Sequence, residues 1–208
     1  MNNNAISEII LEACNDVFAD IVNGLLFNGE PRISPEELID QEPCAVPEEC
    51  GFKRVVLKRW TKQDIQIAII SLDNQTVPTN DMPLRVFGYE SAEYTAQEAR
   101  GEKHCPIVTL ILYYGTEKKW DKARSLSEAT NMSERFAFLQ EYRMNLFEVA
   151  YLEPEVVERF RSDFRSVTDY FGEMRRIGEY MQTAEGMDHG QAVRKFLERL
   201  AFPIIPDC

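Results

Sequence analysis

The residues best suited to chemistry follow an apolar run that ends at Leu72. Asp73 and Gln75 stand two positions apart, and residues two apart in an extended chain project from the same face. A carboxylate placed there can hold Mg²⁺ while the neighbouring polar group orients a metal-activated water toward a phosphodiester. Asp-Asn after an apolar strand is, however, more often a simple turn. Spacing alone leaves both interpretations open.

A β-hairpin and two helices are predicted to position this pair. The runs FKRVVLKRW and IQIAIISLDNQT read as strands separated by a polar break of hairpin length. Apolar residues at three- and four-residue intervals predict a helix from Ala5 to about Phe27, and a second helix is predicted from about Asn80 to Arg100. The apolar run PIVTLILYYG predicts a strand buried on both faces of a sheet.

The remainder of the chain is predicted to be mainly helical. One or two short helices are expected between Ser125 and Gln140, and Tyr142 to Ala150 alternates well enough for a strand. Pro154 is expected to begin a long helix that runs to about Gln182, and a short helix follows from Gln191 to Leu200. The sequence therefore predicts an α/β domain in residues 1–152 with a helical extension, 153–208, packed on it.

The net charge of −12 restricts any role with nucleic acid. Proteins that bind nucleic acid usually concentrate Lys and Arg where phosphates are neutralised, so a binding surface here must be a local basic strip. The first hairpin strand offers such a strip, although a charged edge strand that resists aggregation explains it equally well. Its members are Lys53, Arg54, Lys58, Arg59 and Lys62.

The cysteines and the apolar stretches exclude further classes. The cysteines are odd in number and lack paired CxxC spacing, so we expect reduced, partly buried thiols rather than a zinc or redox site. They are Cys14, Cys44, Cys50, Cys105 and Cys208. No stretch approaches the ~20 apolar residues of a membrane span, so no membrane partner and a cytoplasmic location are expected by default.

Several segments together resemble a known family. LDNQTVPTNDMPLRVFGYESAEYTAQ, followed by CPIVTLILYYG and Trp120, is similar to the Rpn (recombination-promoting nuclease, putative transposase) group of PD-(D/E)XK nuclease-like proteins. FADIVNGLLFNGE and YRMNLFEVAYL also resemble it, and the likeness as a whole covers most of the chain to about Asp163. The resemblance implies a restriction-endonuclease-like αβββαβ core. It also implies DNA cleavage dependent on Mg²⁺ or Mn²⁺ and linked to recombination or mobile elements.

The resemblance assigns roles to individual residues and exposes one departure. The family's catalytic Glu falls on Asp73 and its Gln on Gln75. Arg85 matches the family's Met-Pro-x-Arg, where it would contact a phosphate, pair with Asp73 or simply lie on the surface. The family's other metal-binding acid falls on Val55, so the acidic set is incomplete. Antiparallel pairing across the hairpin likewise places no acid opposite Asp73.

The missing acid leaves two hypotheses open. Asp16 is taken as a replacement metal ligand beside Asp73; Asp20, Glu48 and Glu49 are further candidates, and solvated surface is the alternative for all of them. Lys58 and Arg59 join Arg85 as expected DNA contacts. One hypothesis is a Mg²⁺-dependent DNA endonuclease. Many proteins that cut both strands of a duplex work as dimers, so a homodimer is one of the partners considered. The other is a non-catalytic descendant that binds DNA or protein, because a single carboxylate holds Mg²⁺ weakly.

Overall fold

The chain forms a five-stranded mixed sheet flanked by helices. The computed structural model describes residues 11–42, 56–62, 65–131, 141–178 and 187–201. The strands are β1 (Leu38–Gln41), β2 (Val56–Lys62), β3 (Ile65–Gln75), β4 (Ile107–Tyr113) and β5 (Asn145–Glu148). The helices are α1 (Asn15–Leu26), α2 (Met82–Ala99), α3 (Leu126–Ala129), α4 (Pro154–Val157), α5 (Phe164–Ile177) and α6 (Gly190–Ala201). Short 3₁₀ turns cover Leu11–Ala13, Pro35–Glu37 and Val149–Tyr151.

The strands follow one another across the sheet in the order of the sequence. β1 pairs antiparallel with β2, and β2 antiparallel with β3. β3 and β4 are parallel, as are β4 and β5. Parallel neighbours need a long crossover, which α2 supplies between β3 and β4. The predicted hairpin, the helix after it and the buried strand are therefore confirmed, as is the general α/β class.

Strand β4 divides the core into two layers. Leu110 and Leu112 belong to a large apolar cluster that includes residues of α1, α5 and α6. Ile111 belongs to a smaller cluster with Met82 and Val86 of α2. Successive side chains of a strand point to opposite faces, so α1, α5 and α6 cover one face of the sheet and α2 covers the other. We call these the α1 face and the α2 face.

The predicted helix from Pro154 to Gln182 is wrong as a single element, because the chain bends between α4 and α5. The cause is a tertiary contact with α1. Oδ2 of Asp20 accepts hydrogen bonds from the backbone N–H groups of Arg161 (2.9 Å) and Ser162 (2.8 Å) and from the Ser162 hydroxyl (2.6 Å). A continuous helix would direct those N–H groups at its own carbonyls. Asp20 therefore shapes the bend.

A neighbouring contact, between α1 and the Phe160 ring, makes Gly24 of α1 sensitive to substitution. A Cβ at Gly24 would lie 2.5 Å from Cε1 of the buried Phe160 ring. We expect Gly24→Ala to lower the free energy of unfolding by about 1–3 kcal/mol, although alanine favours a helix over glycine by about 1 kcal/mol. Urea denaturation measures the change.

Gly172 provides the matched control. It lies within α5, and a Cβ there meets no atom within 4 Å. Gly172→Ala should therefore raise the free energy of unfolding, by up to about 1 kcal/mol. Equal effects of the two substitutions would show that the Phe160 ring does not constrain α1.

Candidate functional site

Asp73 and Gln75 lie together at the end of β3, on the α2 face. Asp73 pairs with Ile111 of β4, and Ile111 packs against α2. Nε2 of Gln75 donates a hydrogen bond to Oδ1 of Asp73 at 2.7 Å. The pair is part of a strand and not of a turn, because β3 continues to Gln75. The Asp73 and Gln75 side chains therefore lie on the same face of β3, as their two-residue spacing predicts.

The Asp73 carboxylate is buried, and only one of its two oxygens has a hydrogen-bond partner among the described residues. The residue is 1% exposed, and its Oδ2 has no hydrogen-bond partner within the described part of the chain. Burial raises the pKa of Asp73 to about 6, against smaller opposing effects of the Gln75 hydrogen bond and the Arg85 charge. Buried polar atoms are usually paired. Oδ2 of Asp73 is therefore an unusual atom, a buried acceptor without a described partner.

Arg85 lies on α2, three residues after the helix begins at Met82. Its positive charge lowers the pKa of Asp73, so its guanidinium is close enough to act on the carboxylate. The side chain is half-buried. Arg85 therefore belongs to the surroundings of Asp73 and is not a remote surface residue.

Among the residues that the structure describes, the groups that shift the pKa of Asp73 include no second acid. The last described pair of the hairpin is Val56 with Leu72. Val55 lies outside the described residues, as do Glu48 and Glu49. Among the described residues, Asp73 joins no group of three His, Cys, Asp or Glu ligands.

Asp16 does not share the site with Asp73. It lies in the first turn of α1, and its Oδ2 is 2.8 Å from Nε2 of His189. The sheet separates α1 from the α2 face, which carries Asp73. The structure therefore does not bring Asp16 and Asp73 together as the expected pair of metal ligands, because α1 covers the other face.

Lys58 does not face solvent, so its expected role as a DNA contact is also wrong. The side chain is fully buried on the α1 face, with its ammonium 5.6 Å from the centre of the Phe18 ring. Its Nζ donates to the carbonyl of Ala13 at 2.8 Å, to Oδ1 of Asn15 at 2.6 Å and to Asp40. Lys58 therefore anchors the start of α1 to the sheet.

Arg59 points to the opposite face and is only a quarter exposed. Its guanidinium lies 3.3 Å from the Glu102 carboxylate, and its Nε donates to Gln41 at 3.2 Å. The residue is thus already engaged with acidic and polar neighbours. A DNA phosphate would have to compete with Glu102 for it.

A buried carboxylate that sequence reasoning missed lies on the α1 face. Glu12 is fully buried and accepts a hydrogen bond from Nδ2 of Asn74. Burial raises the pKa of Glu12, and the Asn74 hydrogen bond opposes the rise. The fully buried Tyr114 is close enough for Glu12 to raise its pKa, although burial is the larger cause. Alternation along β3 thus sends the Asp73 carboxylate to the α2 face and the Asn74 amide to Glu12 on the α1 face.

Comparisons with known proteins identify no relative. No family model, curated protein or solved structure matches the chain. Within the described ranges, no helix has both the length and the apolar character needed to cross a bilayer. What the fold and the site define is thus a mixed α/β protein with a buried Asp-Gln pair on a central strand.

Proposed function

We propose that this chain is an Rpn-like protein with the restriction-endonuclease-like αβββαβ core. Support comes from the order of its elements: one helix, three antiparallel strands, a crossover helix and a parallel strand. In that arrangement Asp73 and Gln75 occupy the third strand of the core, the strand on which the resemblance expects the catalytic acid and its polar neighbour. Order alone is weak support, so the chemistry of the site carries the functional proposal.

The function that the site supports best is Mg²⁺- or Mn²⁺-dependent hydrolysis of DNA phosphodiester bonds. The observation that carries it is the unpartnered Oδ2 of Asp73, held beside the Gln75 amide. A carboxylate oxygen is a suitable ligand for Mg²⁺, and the ion when bound would polarise the phosphodiester and acidify a bound water. Gln75 would orient that water, and Arg85 would meet a phosphate oxygen.

The donor set fits the ion only in part. Mg²⁺ requires about six oxygen ligands in near-octahedral geometry, and the described residues supply one carboxylate. The remaining positions would have to be taken by water and by substrate phosphate. Affinity for the ion in the absence of DNA is therefore expected to be weak.

A second candidate is a non-catalytic protein that keeps the fold and binds DNA or another protein. The specific observation in its favour is Lys58, a cation of the expected basic strip that the fold uses internally. Arg59 is likewise occupied by Glu102. With a net charge of −12, the surface is better suited to a basic protein partner than to a polyanion.

Plasmid nicking tests the proposal. Supercoiled DNA is incubated with Mg²⁺ or Mn²⁺ and with wild type, Asp73→Asn or Asp169→Asn. Asp169 is a half-exposed acid on α5 that serves as the matched control. We expect metal-dependent nicking that Asp73→Asn reduces by roughly a hundredfold or more, since even outer-shell changes at metal sites cost 10- to 100-fold, while Asp169→Asn retains it.

Val55→Asp separates the two candidates. Nicking that appears only after this substitution would show that the site has lost its second acid and that the natural protein is not a nuclease. If neither wild type nor Val55→Asp cuts DNA, and neither retards DNA in a gel-shift assay, both the nuclease and the DNA-binding candidates are rejected. A protein partner would then be sought by cross-linking.

A further inference from the structure

A separate group of potential metal ligands lies on the α1 face, where two helices begin. Cys14 immediately precedes α1, Asp16 lies in its first turn, and His189 immediately precedes α6. One ligand atom of each residue, the thiol sulfur, a carboxylate oxygen and a ring nitrogen, lies within 4.8 Å of the other two.

We propose that Cys14, Asp16 and His189 form a zinc-binding site that ties α6 to the start of α1. A thiolate, an imidazole and a carboxylate are the three side-chain ligand types that Zn²⁺ takes in proteins. A thiolate also selects against Mg²⁺ and Ca²⁺, which prefer oxygen ligands. The three residues leave a fourth tetrahedral position for a water molecule.

The distances require only small side-chain movements. Oδ2 of Asp16 lies 2.8 Å from Nε2 of His189. Two ligands at about 2.0–2.1 Å from a tetrahedral ion are about 3.3 Å apart, so the hydrogen bond must open by about half an ångström. The Cys14 side chain makes no capping hydrogen bond to α1, so no such bond has to break when its sulfur binds an ion.

The charged groups close to the sulfur are mainly acidic. Asp16, Glu12 and Asp163 act electrostatically on Cys14, and Lys58 is the cation that opposes them. A divalent ion bound here would offset these negative charges, and the thiol would release its proton on binding the ion.

The position of His189 is fixed by the fold. Its backbone N–H donates to Oδ2 of Asp163 at 2.5 Å, and Asp163 immediately precedes α5. The helix that follows His189 is held by its apolar side, since Val193 and Phe196 are buried in the large cluster. The imidazole is thus presented to α1 by a packed helix rather than by a free loop, which lowers the entropy cost of forming the site.

The site is independent of the proposed nuclease function, because Asp73 lies on the α2 face. Titration of the full-length protein with Co²⁺, a spectroscopic substitute for Zn²⁺, tests it. We expect one ion per chain, a thiolate-to-cobalt charge-transfer band, and displacement of the ion by Zn²⁺. Cys14→Ser should abolish the band, and Asp16→Asn and His189→Gln should each weaken binding by roughly tenfold to a hundredfold.

Matched controls are available for each ligand type. Cys105→Ser removes a buried thiol and His104→Gln an exposed imidazole, and both variants should bind Co²⁺ as wild type does. Replacing Cys44, Cys50 and Cys208 by serine together tests the thiols outside the described residues. A charge-transfer band that survives Cys14→Ser or disappears in the triple variant would overturn the proposal.

A second measurement tests the link between the helices. Zn²⁺ should slow amide hydrogen exchange in residues 187–201 of wild type but not of Asp16→Asn or Cys14→Ser, and Asp73→Asn should respond as wild type does. If Zn²⁺ binds but leaves exchange in this segment unchanged, the ion does not tie α6 to α1. The Asp16 variant keeps the test decisive should Cys14→Ser fail to fold.

Discussion

Replacing Lys58 by alanine is expected to lower the free energy of unfolding by about 2–5 kcal/mol, because it truncates a long buried side chain and leaves its acceptors without a donor. The fully buried lysine reaches the Ala13 carbonyl and the Asn15 side chain. Alanine leaves a cavity beside Phe18 and removes the donor from these acceptors. Urea denaturation measures the loss.

Two further variants separate packing from charge. Lys58→Met keeps most of the buried volume and removes the ammonium, so only unsatisfied acceptors remain, at a cost of about 1–3 kcal/mol. Arg59→Met breaks a partly exposed ion pair with Glu102 and should cost less than about 1 kcal/mol. A similar loss in Lys58→Ala and Arg59→Met would mean that Lys58 is not an anchor of α1. Because Lys58 is internal, Lys58→Met should also leave any retardation of DNA unchanged.

Replacing Asp73 by asparagine is expected to stabilise the protein above pH ~7 by up to about 3 kcal/mol. Burial raises the pKa of Asp73 from 3.8 to about 6, which corresponds to about 3 kcal/mol between the two protonation states. The folded protein therefore holds this proton more tightly than the unfolded chain does. The resulting stabilisation is complete below pH ~4 and is lost as the pH rises through about 6.

Asparagine removes that dependence on pH. Its carbonyl oxygen can still accept the Gln75 hydrogen bond, and it carries no charge to be desolvated. The difference in stability between Asp73→Asn and wild type should accordingly be small near pH ~4 and largest above pH ~7. Glu155→Gln, a change of the same kind at an exposed position of α4, should follow the wild-type curve. A constant difference at every pH would show that the carboxyl group does not titrate in this range.

Mg²⁺ connects this prediction to the proposed function. An ion at Asp73 would neutralise the buried carboxylate, and it should raise the melting temperature of wild type above pH ~7 without raising that of Asp73→Asn. If Mg²⁺ has the same effect on both proteins, the orphaned Asp73 oxygen is not a metal ligand. Nicking could still fail for lack of a second acid, so the melting experiment and the cleavage experiment report on different parts of the proposal.

Local patterns in the sequence determined most elements. The hairpin before Gln75 and helix α2 follow from side-chain periodicity and turn chemistry, which act over a few residues. Asp73 and Gln75 could be placed on one face because the two-residue repeat of a strand is itself local. The interior position of Lys58 also left a signal, since it shares its face of β2 with Val56 and Trp60, which both pack against the large cluster.

Tertiary structure alone decided which helix covers each face and which distant residues meet. Alternation assigns Asp73 and Asn74 to opposite faces but cannot show that α2 lies over one and α1 over the other. The bend before α5 depends on Asp20, and the cluster of Cys14, Asp16 and His189 joins residues up to 175 positions apart along the chain. Burial, pKa and ligand geometry are properties of contacts between elements, and no pattern within a single element encodes them.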